Sequence, residues 1–330
     1  MPHPKCYTSS SIGPAPELPR NFLDRPESVS LYWDDAPLVD DGAFLRVIHH
    51  CEPPEVFPSV ADHIIANQGF FDVIMTYDPR VLRECGEKAV FLTESACSWM
   101  DRKSSGSPSP FLHNFPDGPA LLSPIVPAYA GCDVTKKDFA VSFLTSSKTH
   151  LPGHVMRQEI FEALPEHIGN LRVWKHRSPP RVDDKRPVVE PYMFHIAPEN
   201  SRNDGYYSEK LVDCFVAKTI PCYWGCTDIG KHFNADGMVI FEDTRDLLRK
   251  LQGLTPSFYH ERTSAIEENF TRALQGFRQW DAIENYIDQG IARKKAQGKK
   301  GSGHESLPQG VHTNTQSLSR SLRWTPRKSR

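Results

Sequence analysis

Residues 192–225 read YMFHIAPENSRNDGYYSEKLVDCFVAKTIPCYWG. The run YMFHIA is short and apolar, which predicts a buried strand over 192–197. A polar loop dense in Asn, Asp, Gly and Ser interrupts it. SEKLVDCFVAK then reads as a helix, with Ser208 at the N-cap and Leu211 and Phe215 turned inward. TIPCYWG is a second strand. Strand, helix and strand in succession build a parallel sheet, and such sheets place their sites at the carboxyl ends of their strands.

The same alternation extends in both directions along the chain. FLRVIHH (44–50), DVIMTYD (72–78) and AVFLTES (89–95) read as strands, with helices at SVADHIIANQGFF (59–71) and PRVLREC (79–85). Between the first strand and the first helix, CEPPEVFP forbids a helix start before Glu55, so Glu52 is held at a strand's end. The polar stretch 101–119 reads as a loop. A second series opens with the strand KDFAVSFLTSS (137–147) and the helix HVMRQEIFEAL (154–164). The strand LRVW (171–174), a charged, proline-bearing loop (175–191), the strand GMVIFED (237–243) and helices over 244–290 complete it. The expected organisation is therefore α/β in two halves. Residues 1–28 form an irregular proline-rich lead-in, 29–135 and 136–290 the two α/β domains, and 291–330 a tail.

Composition bounds the function. The 330 residues are 38% hydrophobic and 24% charged, as in a soluble globular protein, and the net charge of −2 hides an asymmetry. Residues 293–330 carry ten Lys/Arg against the single acid Glu305, a charge of +9, which leaves −11 on the body. An acidic body argues against a domain that grips nucleic acid through a broad basic face, so no nucleic-acid partner is expected. The tail is poor in aliphatics and is expected to be disordered, either a solubilising end or a contact for an anionic surface. No run approaches a membrane span and no signal core is present, which makes a cytoplasmic location the default expectation. The eight cysteines lack a secreted framework, and Cys222 and Cys226 have no second pair to complete a zinc site, so free thiols are expected.

Several chemistries are excluded by absent motifs. The chain has no G-x-x-x-x-G-K-[ST], no G-x-G-x-x-G after a strand, no G-x-S-x-G and no H-E-x-x-H. His49 and His50 are adjacent in a strand and point to opposite faces, which makes one metal chelate awkward. Asp34-Asp35, Asp40-Asp41 and Asp183-Asp184 are adjacent pairs without D-x-D spacing, expected to be solvated turns. Trp33, Trp99 and Trp224 suit sugar stacking or, as tryptophans more often do, a core.

The loop before the 208–218 helix remains to be explained. A helix N-terminus presents free N–H groups and the positive end of its dipole to one point, and that point binds anions. Lys210 in the first turn opposes the dipole, and an anion lying between the two would account for it. Glu209 can accept hydrogen bonds from sugar hydroxyls, and Asn200 can both donate and accept. The set suits a phosphate attached to a sugar. It equally suits a plain surface helix capped by Ser208, with Glu209 as a dipole-friendly acid.

ENSRNDGYYSEK (199–210) resembles the signature E-N-S-x-x-x-[D]-Y-x-[ST]-E-K of the α1,3/4-fucosyltransferases, glycosyltransferase family 10. TIPCYWG resembles that family's P-V-x-x-G strand. Glu199, Asn200, Ser201, Tyr206, Ser208, Glu209 and Lys210 match at the family's spacing. Gly205 stands where Asp is usual, and Cys222 replaces a valine. SSKTHLPGHVMRQEIFEAL resembles the family's S-x-x-x-x-x-x-R segment, with Arg157 as the donor-phosphate arginine. HHCEPPEVFP resembles the acceptor-side segment that carries the base, here Glu52. The likeness covers about residues 44–275.

The resemblance implies a GT-B architecture of two facing Rossmann-like domains, with the donor site in the C-terminal one. It implies inverting, metal-independent transfer of L-fucose from GDP-fucose to a glycan hydroxyl, with no cofactor beyond the nucleotide-sugar co-substrate. Glu52 would be the catalytic base. Arg157 and Lys210 would carry the diphosphate charge, Asn200 and Glu209 would bind hydroxyls, and Tyr206 would close over the nucleotide. The alternatives are a transferase using another nucleotide sugar, a non-catalytic nucleotide-sugar binding protein, and a nucleic-acid adaptor acting through the tail.

Overall fold

The structure is a computed structural model that describes residues 5–8, 24–93, 97, 134–179, 182, 184–276 and 279–300. The loop expected over 101–119, Trp99, Asp183 and the tail beyond 300 lie outside them. The first sheet is parallel, in the order β1 (Lys5–Tyr7), β2 (Val29–Trp33), β3 (Leu45–His50), β4 (Val73–Thr76) and β5 (Ala89–Phe91). Its central strands are buried along nearly their whole length, because helices and loops cover both faces and leave no solvent side to alternate with.

One face packs against α1 (Val60–Ala66) and α2 (Pro79–Cys85), where Val60, Ile64 and Val81 meet Tyr32, Ile48 and Ile74. Asp78 starts α2 by accepting the amide hydrogens of Arg80 and Val81 at 2.7 and 3.1 Å, and Pro79 sits at the first helical position, where its missing N–H costs nothing.

The second sheet follows the order β11-β10-β9-β6-β8-β7, with β6 (Asp138–Ser146), β7 (His167–Ile168), β8 (Leu171–Ser178), β9 (Tyr192–Pro198), β10 (Ile220–Trp224) and β11 (Val239–Ile240). All its pairings are parallel except the short β7–β8 hairpin. Two further helices attach here: α3 (Pro152–Ala163) and the short α4 (Arg186–Val189). The helix expected from the opening stretch is α5 (Glu209–Val216), capped by Ser208, whose Leu211 and Phe215 are buried as their spacing predicts. It covers one face together with Phe233 and Ala273. The other face packs Ile160 of α3 against Leu247 and Leu251 of α6 (Thr244–Gln252), with Tyr259 of α7 (Pro256–His260) beside them. The architecture is thus two α/β halves, each built on a mostly parallel sheet, as expected.

The last two helices among the described residues are α8 (Thr263–Gly276) and α9 (Gln279–Lys300). Ile283, Ile287 and Ile291 of α9 recur every four residues and close the second face of the first sheet against Leu45, Val47 and Val73. These residues were assigned above to the C-terminal half, so the chain returns to its first sheet before it ends. Residues up to Ile291 form one compact unit, and a second unit begins at Ala292. The expectation of a disordered stretch from 291 is corrected over 291–300, which continue α9.

The irregular lead-in also contains a strand. Residues 5–7 are too few to show periodicity, and β1 is held instead by its partner: Tyr7 stacks on Tyr32 at 4.9 Å, and its hydroxyl donates to Asp41 at 2.9 Å. Among the described residues, Cys6, Cys51, Cys85, Cys97, Cys214, Cys222 and Cys226 form no disulfide.

Candidate active site

The strands β6, β8 and β9 all end at one cavity of about 220 Å³, the place where an open parallel sheet puts its ligands. Thr145 and Ser146 come from β6, Ser178 from β8, and His195 and Pro198 from β9. Arg157 reaches it from α3, Lys210 and Asp213 from α5, and Lys185 from the segment before α4. Three cations therefore converge on a small volume. His195 adds no charge, because burial and then Lys185 push its pKa down to about 3, and its Nδ1 pairs with the Ser142 hydroxyl at 2.7 Å.

Each cation is held by a carboxylate or a carbonyl. Arg157 is 7% exposed; its Nε donates to the Pro198 carbonyl at 3.1 Å and a terminal nitrogen donates to the Asn200 side-chain oxygen at 2.6 Å. Asn200 thus positions the guanidinium. Lys210 keeps 24% of its side chain exposed, with Nζ 3.2 Å from the Ser208 hydroxyl, 3.2 Å from Glu209 and 3.8 Å from Glu199. Lys185 pairs with Glu209 at 3.3 Å and Asp213 at 3.5 Å. Burial alone would raise the Glu209 pKa, but Lys210 and Lys185 outweigh it and hold the group well below the carboxylate range.

Glu199 organises the helix entrance. It is fully buried, and it accepts the Ser208 amide hydrogen at 2.9 Å and the Ser208 hydroxyl at 2.6 Å. The cap is therefore itself anchored, which fixes where the first turn of α5 points. Burial raises the Glu199 pKa, and Lys210 pulls it back.

The backbone at 199–200 leaves no room on the other side. Gly153 in the first turn of α3 donates its amide hydrogen to the Asn200 carbonyl at 3.0 Å, and a Cβ there would lie 1.8 Å from the Glu199 carbonyl oxygen. Gly153→Ala is expected to lose at least about 1–3 kcal/mol of stability in a denaturant titration, since overpacking against backbone relaxes poorly. Wild-type stability in that variant would show that α3 can shift away from the loop.

The remaining residues sit where the two halves meet. Tyr206 is 5% exposed and its ring lies 5.4 Å from that of Tyr77. It is packed between the halves and does not line the cavity. Gly205 adopts φ +71, and a Cβ there would stand 2.7 Å from the Tyr77 carbonyl oxygen, a steric reason for glycine where the resembled signature has Asp. Glu55 accepts hydrogen bonds from the Ser201 hydroxyl and, at 3.2 Å, from the Asn203 side chain.

Glu52 follows β3 in the first half. Burial and then Asp34 push its pKa up to about 7, while Lys210 and Lys148 of the second half lower it. Its charge is thus coupled across to the cation cluster. Asp34 corrects the reading of adjacent aspartates as solvated turns: it is fully buried at the end of β2. Asp41 likewise accepts from Ser30 at 2.6 Å and from Ala43 at 3.1 Å. Trp33 and Trp224 belong to the cores, and Trp33 packs edge-on against His49 at 5.8 Å.

Sequence reading missed Lys185, Asp213 and Asp34. Asp213 was within reach, since it lies four residues after Glu209 on one face of a helix. Lys185 sits in an aperiodic loop that offers no such signal.

No family model matches the chain. A stretch of 116 residues, 34% of the chain, is 29% identical to the α-(1,3)-fucosyltransferase FucT of Helicobacter pylori. Another comparison aligns 66 residues at 36% identity with a protein of Acanthamoeba polyphaga mimivirus that carries a fucosyltransferase name. The matches span only 23% and 11% of those proteins. A solved α1,3-fucosyltransferase with GDP-fucose has a TM-score of 0.50 at 15% identity, over 88% of this chain and 90% of that one, a likeness of fold. No helix among the described residues is long and apolar enough to cross a membrane. The fold is therefore of the GT-B type, and two stretches of the chain are similar in sequence to fucosyltransferases.

Proposed function

We propose that the protein transfers L-fucose from GDP-fucose to a hydroxyl of a glycan acceptor, with inversion at the sugar. The observation that carries this reading is the convergence of Arg157, Lys185 and Lys210 on one cavity at the carboxyl ends of β6, β8 and β9. A diphosphate there would meet three cations and the N-terminus of α5. The acceptor hydroxyl gives its proton to Glu52 as its oxygen bonds to the anomeric carbon. The bond from that carbon to the β-phosphate oxygen breaks on the opposite face, and GDP leaves with the pair. Negative charge grows on the diphosphate, and Arg157 and Lys210 stabilise it without a divalent cation. Asn200 acts through Arg157, and Glu209 accepts from sugar or ribose hydroxyls.

A thermal-shift panel of GDP-, UDP- and CMP-sugars tests the donor. GDP-fucose is expected to give the largest stabilisation, about 2.7 kcal/mol at a hundredfold excess over Kd. Transfer to a glycan array should follow and persist in chelator. Stabilisation by UDP-sugars alone would replace the donor, and stabilisation by none would remove the reading.

A further inference from the structure

We propose that Asp34 is a positioning residue for Glu52, fixing where that carboxyl stands. The inference rests on the reading of Glu52 as proton acceptor and goes beyond it. β2 and β3 are parallel neighbours, so the turns after Trp33 and His50 leave the sheet side by side. Asp34 fills the space between them. Its Oδ1 accepts the amide hydrogens of Cys51 at 2.8 Å and Glu52 at 3.0 Å, and its Oδ2 accepts the Cys51 thiol at 3.2 Å. Its own amide hydrogen goes to the His49 carbonyl at 3.0 Å.

Two features mark this as a built arrangement. The carboxylate is fully buried, which costs several kcal/mol unless the donors around it compensate. The backbone of Asp34 also adopts φ +46, a left-handed conformation that only Gly, Asn and Asp visit readily. A surface turn would need neither. What the arrangement achieves is rigidity at one peptide: with the Cys51 and Glu52 amides both bonded to Asp34 Oδ1, the backbone that carries the Glu52 side chain is pinned to the end of β2. The Tyr77 hydroxyl holds the same residue from the other side by donating to the Glu52 carbonyl at 3.2 Å.

Asp34 also acts on charge: burial raises its own pKa, and His50, the amides of residues 51 and 52 and the Cys51 thiol pull it back toward the ionised form. The groups that act on Glu52 are Asp34 from the end of β2, Glu209 and Lys210 from α5, and Lys148 from the segment before α3, with Tyr206 opposite. Asp34 and Glu209 raise its proton affinity, whereas Lys210 and Lys148 lower it. Of the two acids, Asp34 has the larger effect.

Asp34→Asn is the informative variant, because Asn tolerates φ +46 and keeps a carbonyl oxygen for the two amides while losing the charge. Two readouts separate this inference from the function it rests on. The first is the titration of Glu52 followed by the NMR signal of its carboxyl carbon, which needs no turnover. In Asp34→Asn the midpoint should fall from about 7 by at least about half a pH unit. The second is fucosyl transfer, where kcat should drop about tenfold or more with KM for GDP-fucose unchanged and the acid limb displaced to lower pH.

An unmoved Glu52 midpoint together with unchanged kcat overturns the positioning role. A moved midpoint in a protein that transfers no sugar upholds the coupling and fails the functional reading instead. Should Asp34→Asn not fold, Cys51→Ala, which removes only the thiol donor, should shift the Glu52 midpoint downward, because an Asp34 with one donor fewer takes up its proton more readily and repels the Glu52 charge less. No shift there would also overturn the role.

Discussion

Lys210→Ala should fold and lose fucosyl transfer by about 10²–10³ in kcat. The size follows from what the ammonium is asked to do. The leaving diphosphate gains charge as the bond to the sugar breaks, and a cation already in place at that point needs no reorganisation. Lys210 is in place: three oxygens lie 3.2 to 3.8 Å from Nζ, and its side chain still opens to the cavity. Arg157 does not make up for the loss, because two of its donors already go to the Pro198 carbonyl and to Asn200 and its charge is counted in the wild-type rate.

Removing Lys210 also leaves two acids short of a partner. Glu199 is fully buried and would take up a proton, whereas Glu209 keeps Lys185 at 3.3 Å. A stability loss on the order of 1–3 kcal/mol is therefore expected beside the kinetic one. The two are separable by assaying well below the unfolding temperature and by measuring GDP binding calorimetrically. Lys210→Arg should recover the stability more than the rate, since a planar fork does not reproduce a compact ammonium. Turnover at wild-type level in Lys210→Ala would take the residue out of the mechanism.

How much of this was legible beforehand depended on whether a feature was local. The unit from 192 to 224 was readable because a strand, a cap and an amphipathic helix each leave a pattern within a dozen residues. Ser208 sits where an N-cap must, and Leu211 and Phe215 fall on one face. β1 left no pattern, since three residues show no period and its partner is more than twenty residues away. The return of α9 to the first sheet was hidden for another reason. Ile283, Ile287 and Ile291 announce an apolar stripe, but a stripe does not say which sheet it covers.

The site divides in the same way. Lys210, Glu209 and Asn200 are found by their position at a helix entrance, which is a sequence-local fact. Asp34 is defined by the turn of the neighbouring strand, seventeen residues on, and an Asp-Asp pair read alone looks like a surface turn. Lys185 is defined by Glu209 and Asp213 across space.

Glu52→Gln should bind GDP-fucose within about twofold of wild type and lose kcat by about 10²–10⁴, because the amide keeps the shape and removes the proton acceptor. The pH dependence adds a second signature. Burial and then Asp34 raise the Glu52 pKa to about 7, and the base acts only when deprotonated, so kcat/KM for wild type should climb as pH rises through about 7. Lys210 is among the groups that pull this value down. A bound diphosphate neutralises part of that pull, so the acid limb of kcat should lie at higher pH than that of kcat/KM. Stability moves in the opposite sense. A carboxyl whose folded pKa exceeds its unfolded value of about 4.5 binds more protons when native, so its contribution is fully present below 4.5 and is lost as pH rises through 7. Above pH 7 the wild-type chain therefore carries a buried charge that Gln does not. Glu52→Gln should be the more stable protein there, by on the order of 1–3 kcal/mol, and should lose that advantage toward pH 4.5. A variant that is slower and yet more stable at pH 8 is what a base held in a low-dielectric site for its reactivity would give. Lost donor affinity with the pH limb unchanged would instead assign Glu52 to the nucleotide.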